Sequence, residues 1–182
     1  MQELVWFRSH VERLLQHMWG PAAVSADPDG DYPFRYGRAA CWVRVEPGSP
    51  MSVRVTGHAA YGVKRSAKLL VELNDISSRS RFTSVLWAGG VVVCEYALPA
   101  DAANAETLEM ACGMVGAQAN DLGPLLAAVY GGSTPFEAEE AQEDAPGMVR
   151  AERGFAERRR PIRLVWASTK WSLSARHAGV SC

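Results

Sequence analysis

Leu4, Phe7, Val11, Leu14 and Met18 recur at steps of three and four, an apolar stripe that predicts a first helix. Trp19-Gly20-Pro21 ends it, because proline cannot continue a helix and glycine accepts the exit conformation. The next segment, AAVSADPDGDYPF, is rich in Ala, Asp, Gly and Pro and reads as a loop. Residues 31–37 are short and broken by Pro33, which restricts them to an edge strand. Cys41, Val43 and Val45 then alternate with Trp42, Arg44 and Glu46, the period-two pattern of a half-buried strand. PGSP at 47–50 is a turn, and Val53 and Val55 alternate with Ser52, Arg54 and Thr56 to predict another strand.

A second helix is expected over 63–78, with Ala67, Leu70, Leu73 and Ile76 or Ser77 facing inward. A hairpin follows, from strands at 82–87 and 91–98 joined through Gly89-Gly90. Glycine at both central positions permits the positive φ that a tight hairpin turn requires. Pro99 closes the hairpin, and Leu108, Ala111, Val115, Ala119, Leu122, Leu126 and Val129 form the longest stripe, on a third helix over 104–130. Pro124 lies within it, where loss of a backbone donor predicts a kink or a break into two helices. The order is α-β-β-β-α-β-β-α, an α+β domain on an antiparallel sheet, expected to occupy residues 1–132. The remainder, 133–182, has little periodicity: 136–147 carry five acidic residues and no basic one, and 148–182 carry eight Arg/Lys against Glu152 and Glu157. Blocks of charge with few apolar anchors predict a poorly ordered tail.

Composition narrows the class. The chain has 182 residues, 48% of them hydrophobic, which suits one globular domain with a tail. A formal net charge of -1 provides no overall attraction to nucleic acid or anionic membrane. Cys41, Cys94, Cys112 and Cys182 are widely spaced, and such thiols suit a reducing compartment rather than a disulfide frame. Cys182 is expected to be exposed and oxidisable. Charges at Glu3, Arg8, Glu12 and Arg13 interrupt the N-terminus, so it does not read as a signal peptide, and no run approaches the about 20 apolar residues of a membrane span. A cytoplasmic protein is expected.

No set of residues assembles into a reaction. His10 and His17 stand seven apart without further ligands, and His58 and His177 have no acidic or cysteine company nearby in sequence. Asp27-Pro28-Asp29-Gly30-Asp31 invites a calcium reading, but the positions that need glycine and glutamate hold Tyr32 and Arg38. Neither a nucleophile elbow nor an HExxH pattern occurs. No cofactor, metal or enzymatic activity is expected. Arg158, Arg159, Arg160 and Arg163, with Trp166 and Trp171 downstream, are the one candidate for nucleic-acid contact, since basic residues neutralise phosphates and aromatics stack on bases. The competing reading pairs these bases with the acidic stretch at 137–144. Trp42 falls on the strand face opposite Cys41, Val43 and Val45; either that face is open and presents a partner site, or a further helix buries it.

The helix ending LLVELNDIS, the RF that follows, a short strand, Gly-Gly, a second strand closing on LP and a long helix together resemble the YbjN family. That family and the type III secretion chaperones form the TY-Chap superfamily, and the resemblance covers about residues 1–132. It implies a non-enzymatic, peptide-binding, chaperone-like or adaptor module, a homodimer with a client protein or peptide segment as partner. The alternative is a small nucleic-acid-associated regulator that uses the basic tail. The loop at 20–31 and the tail have no counterpart in the resemblance. A client surface is expected near Trp42, Arg44, Val85 and Trp87, where a peptide would lay apolar anchors into a groove or add a strand to an edge.

Overall fold

The structure, a computed structural model, describes residues 2–136. Three helices, α1 (Gln2–Trp19), α2 (Ala67–Arg79) and α3 (Ala105–Tyr130), accompany five strands: β1 (Tyr32–Tyr36), β2 (Ala39–Glu46), β3 (Ser52–Tyr61), β4 (Ser84–Ala88) and β5 (Val91–Pro99). The chain order is the expected α-β-β-β-α-β-β-α, and the strands form one antiparallel sheet in the order β1-β2-β3-β5-β4. Strand β1, which carries Pro33, lies at one edge, and β4 lies at the other.

Local signals account for most boundaries. Gly89 and Gly90 both adopt positive φ, 56° and 93°, so the β4–β5 turn has the handedness that matches strand twist. Ser66 caps α2 by accepting from the Leu69 amide, and Asn104 with Thr107 forms a reciprocal box at the start of α3. The Ser66 cap starts α2 four residues later than the apolar pattern suggests. Its buried face is Leu69 and Leu73, whereas Ala67 and Leu70 point outward. Leu73 and Ile76 face the core as expected, but Leu69 rather than Leu70 completes the stripe, because consecutive residues cannot share one helix face.

The helix α3 runs unbroken through Pro124. Proline there forgoes one backbone bond, but the surrounding turns hold, because small residues press this helix onto the sheet. A Cβ on Gly123 would lie 2.4 Å from the Ala59 carbonyl oxygen, and one on Gly116 would lie 2.6 Å from the Tyr36 ring. Ala59 sits where the β3–β5 register shifts between His58 and Ala60, so the irregular backbone of β3 and the bare backbone of α3 meet directly.

All three helices bury their stripes in one cluster. Phe7, Val11 and Leu15 from α1, Leu69 and Leu73 from α2, and Leu108, Val115 and Leu126 from α3 meet Val43, Val55, Val85, Val92 and Cys94 of the sheet. The helices α2 and α3 are tied laterally, with Gln118 Nε2 donating to Ser80 Oγ at 2.9 Å and the Tyr130 hydroxyl donating to Glu72. At the β4 edge, Ser77 Oγ donates to the Val85 carbonyl at 3.0 Å and accepts from the Val85 amide at 2.8 Å.

Candidate functional site

The sheet has one face under the helices and one without a helix among the described residues. Strand pairing sets what the second, open face displays. Pro33, Trp42, Thr56, Glu95 and Ser84 form one row across it, Arg44, Arg54 and Ala97 a second, and Arg35, Ala40, His58, Val93 and Leu86 a third.

This face is polar and ion-paired. Asp27 Oδ1 accepts from the amides of Asp29 and Asp31, which folds the 27–31 loop and delivers Asp31 to the sheet. The Asp31 carboxylate, 3% exposed, takes a two-nitrogen contact from Arg44, with Nε–Oδ1 at 2.9 Å and Nη2–Oδ2 at 2.6 Å. That hydrogen bond raises the Arg44 pKa from its ordinary value, partly offset by burial. Arg54 bridges Glu46 at 2.8 Å and Glu95 at 2.9 Å, with the Glu46 bond the main reason its pKa is raised. The aspartate-rich loop is thus a turn that positions an ion pair. Among the described residues, no group of three or more His, Cys, Asp and Glu is placed to hold a metal ion.

One apolar island interrupts the polar surface. Trp42, 5% exposed, clusters with Ala40 and Phe136 and lies 4.6 Å, ring to ring, from His58. No helix covers it. The cover comes from the residues that follow α3. Gly131 leaves the helix at φ 70°, and Gly132 lets the chain close on β3, since a Cβ there would lie 2.4 Å from the Tyr61 carbonyl oxygen. Ser133 exchanges two backbone bonds with Tyr61, at 2.8 and 3.0 Å, and the Phe136 amide donates to the Arg38 carbonyl at 3.2 Å. The strap at 133–136 therefore wraps from the helical face to the open face. Its aromatic ring sits over the Arg35 guanidinium, 4.2 Å from carbon to centroid.

The four expected client-surface residues divide into two pairs. Trp42 and Arg44 occupy the open face on β2. Val85 and Trp87 lie on β4 at the far side of the sheet and point into the helix-covered face, Val85 within the core and Trp87 packed against it. Trp87 Nε1 donates to the Val63 carbonyl at 2.9 Å. Neither a kinship of sequence position nor strand parity within β4 relates it to Trp42. The strap residue Phe136 carries no motif; its one signal is an isolated aromatic between a proline and an acidic run. Arg158, Arg159, Arg160 and Arg163, like Cys182, His177 and the rest of 137–182, lie outside the described residues.

The three described cysteines are free thiols in the core. Burial pushes Cys94 up to about 12 and raises Cys41 and Cys112 as well, so none is a nucleophile near neutrality. No helix among the described residues is long and apolar enough to cross a membrane.

A family model described as T3SS (YopN, CesT) and YbjN peptide-binding chaperone 1 matches residues 6–138, from within α1 to just past the strap. The chain belongs to the TY-Chap1 family. Comparison with curated proteins gives no match. Among solved structures, a chain from the crystal structure of the ExsC-ExsE complex is similar, with a TM-score of 0.54 and 16% identity over 65% of this chain and 95% of that one. At that identity the likeness is one of fold. The TY-Chap1 match bears out the expected superfamily, and neither it nor the similar structure lends support to nucleic-acid binding by the basic tail.

Proposed function

We propose that this TY-Chap1 chain is a non-enzymatic, peptide-binding chaperone or adaptor that receives client segments on the open face of its sheet, around Trp42 and Arg44. The observation that carries the reading is the division of the sheet. Every described helix is spent on one face, while the other offers an aromatic island ringed by arginines and carboxylates, a surface that can anchor an apolar side chain and fix a polar backbone around it. The similar solved structure is that of a complex named for two components, which supports a protein partner here. Val85 and Trp87 serve this reading by holding β4 against α2 rather than by touching the client.

The protein acts as a homodimer in the cytoplasm, and its folded unit comprises residues 1–132 together with the strap at 133–136 that closes on them. Leu70 and Val71 on α2 and Leu125 and Val129 on the adjacent α3 are exposed apolar positions that a second copy would cover. Buried free thiols accord with a reducing compartment.

Clients recovered by co-purification and mass spectrometry, resynthesised as peptides, test the placement. Arg44→Gln, which keeps a donor toward Asp31, should weaken peptide binding at least fivefold, and Trp87→Ala should leave it within twofold once folding is matched. Equal binding by Arg44→Gln and the wild type would remove the open face as the client site. Light scattering should show twice the monomer mass, and a monomer at micromolar concentration would exclude the dimer.

A further inference from the structure

The strap places an aromatic side chain where a client anchor would go. Phe136 shares its cluster with Ala40 and Trp42 and stacks on Arg35, and its backbone is held upstream through Tyr61–Ser133 and at its own amide by the Arg38 carbonyl. Thr134 Oγ1 donates to the Phe136 carbonyl at 2.8 Å, which shapes the approach of the ring. Arg35 is buried, and it makes no ion pair among the described residues. Its Nε donates to the Gly37 carbonyl at 2.8 Å, and its Nη2 is buried with no hydrogen-bond partner among the described residues. A buried cationic donor left over beside an aromatic pocket is costly unless a carboxylate can reach it. The residues after Phe136 supply that chemistry in sequence: Glu137, Glu139, Glu140, Glu143 and Asp144, with no basic residue among them.

We infer that the site formed by Arg35, Ala40 and Trp42 is selective for segments in which an aromatic residue is followed by acidic ones, and that the chain's own residues from 133 onward are its resident occupant, exchanged for a client of the same chemistry. This rests on the peptide-binding reading above and names the class of client. The aromatic ring provides the desolvated anchor, the arginines select the carboxylates, and the tether holds the resident segment at the millimolar effective concentration typical of short linkers. An incoming segment must therefore bind well enough to displace it, which rejects generic apolar peptides.

The probe is a labelled synthetic peptide with the sequence of residues 133–144, titrated by fluorescence anisotropy against full-length wild type and full-length Phe136→Ala. The variant, whose pocket has lost its resident ring, should bind the probe at least tenfold more tightly than the wild type. A probe with its phenylalanine changed to alanine should lose that binding, and one with its carboxylates changed to amides should weaken several-fold and lose its dependence on salt. Equal binding by variant and wild type, or indifference to the probe's phenylalanine, would overturn the inference. If Phe136→Ala does not fold, amide exchange of the wild type decides. Protection of the Phe136 amide should fall as unlabelled probe is added, and unchanged protection at millimolar probe would overturn the inference just as well. The two readings fail separately. A client that binds through Arg44 yet ignores Phe136→Ala leaves the chaperone reading intact, whereas probe exchange at Phe136 without any client on the open face does the reverse.

Discussion

The two faces of this sheet are built from the same strands and follow different rules. Under the helices, the central strands β2 and β3 place Val, Ala, Cys and Gly at alternate positions, and the helix that covers them contributes Ala111, Val115, Gly116, Ala119 and Gly123. Small side chains on both sides let backbones approach within contact distance, so this face is solved by shape. On the other side the same strands present Arg44, Arg54, Thr56 and Glu95, and the packing is solved by charge pairs that water partly screens. A shape-matched face tolerates almost no change, while a charge-paired face can be rearranged by a ligand that offers equivalent partners. On the proposed reading, stability and recognition fall to opposite sides of one layer.

That contrast can be broken by substitution, and the helical face should yield first. Gly123→Val should cost more than about 4 kcal/mol, because its Cβ would meet the Ala59 carbonyl and neither backbone can withdraw. Failure of the variant to fold at 37 °C, or a loss of more than about 15 °C in melting temperature, is the expected reading, and a near-native melt would show that α3 floats above β3. Leu126→Ala, at a fully buried position, should cost about 2–5 kcal/mol by denaturant titration, whereas Val129→Ala three residues on, at 53% exposure, should stay within about 0.5. On the open face, Arg44→Ala should cost only about 1–2 kcal/mol, since the guanidinium is half in solvent although its partner is not.

The buried thiols sharpen the comparison by pH. Cys41, Cys94 and Cys112 hold their protons in the folded chain beyond the point, near pH 9, where unfolded thiols release them. Above pH 9 the unfolded state therefore binds fewer protons than the native state, and stability must fall as pH rises, by about 1.4 kcal/mol per pH unit for each thiol until its folded value is reached. The contribution is fully present below pH 9. Denaturation midpoints measured from pH 8 to 10.5 should show the fall, and replacing Cys94 with Ala should reduce its slope. Smallest of all, Arg54→Ala should change stability by less than about 1 kcal/mol, with half of that lost in 0.5 M salt.

Much of the fold was legible because its signals are local. The Gly89-Gly90 turn, the strand alternation of 41–46 and 52–56, and the edge position of Pro33 each depend on a few neighbouring residues, and the structure bears them out. In α2 the inward positions of Leu73 and Ile76 were legible, but the choice of Leu69 over Leu70 was not, because Leu69, Leu70 and Val71 satisfy more than one inward face and only packing chooses between them. The grouping of Trp42 with Trp87 was less accessible still. Relating a residue of β2 to one of β4 requires the registers of β3 and β5 between them, and these are set by pairings between residues about forty positions apart in sequence, such as Thr56 with Glu95. The role of Phe136 is invisible to periodicity, since one aromatic after a proline has no pattern to belong to.

A sheet with two bare rims can template its own stacking into fibres. Here both rims are blunted. At β1 the flanks of the two-residue Gly37–Arg38 turn leave Pro33 facing outward, where it has no amide to offer. At β4 a single hydroxyl, that of Ser77, occupies the outward amide and carbonyl of Val85 together. Removing that hydroxyl would barely alter the packing of α2, yet it would open a rung on which another copy could grow, so the colloidal behaviour of concentrated solutions, rather than the melting point, is where Ser77→Ala should declare itself.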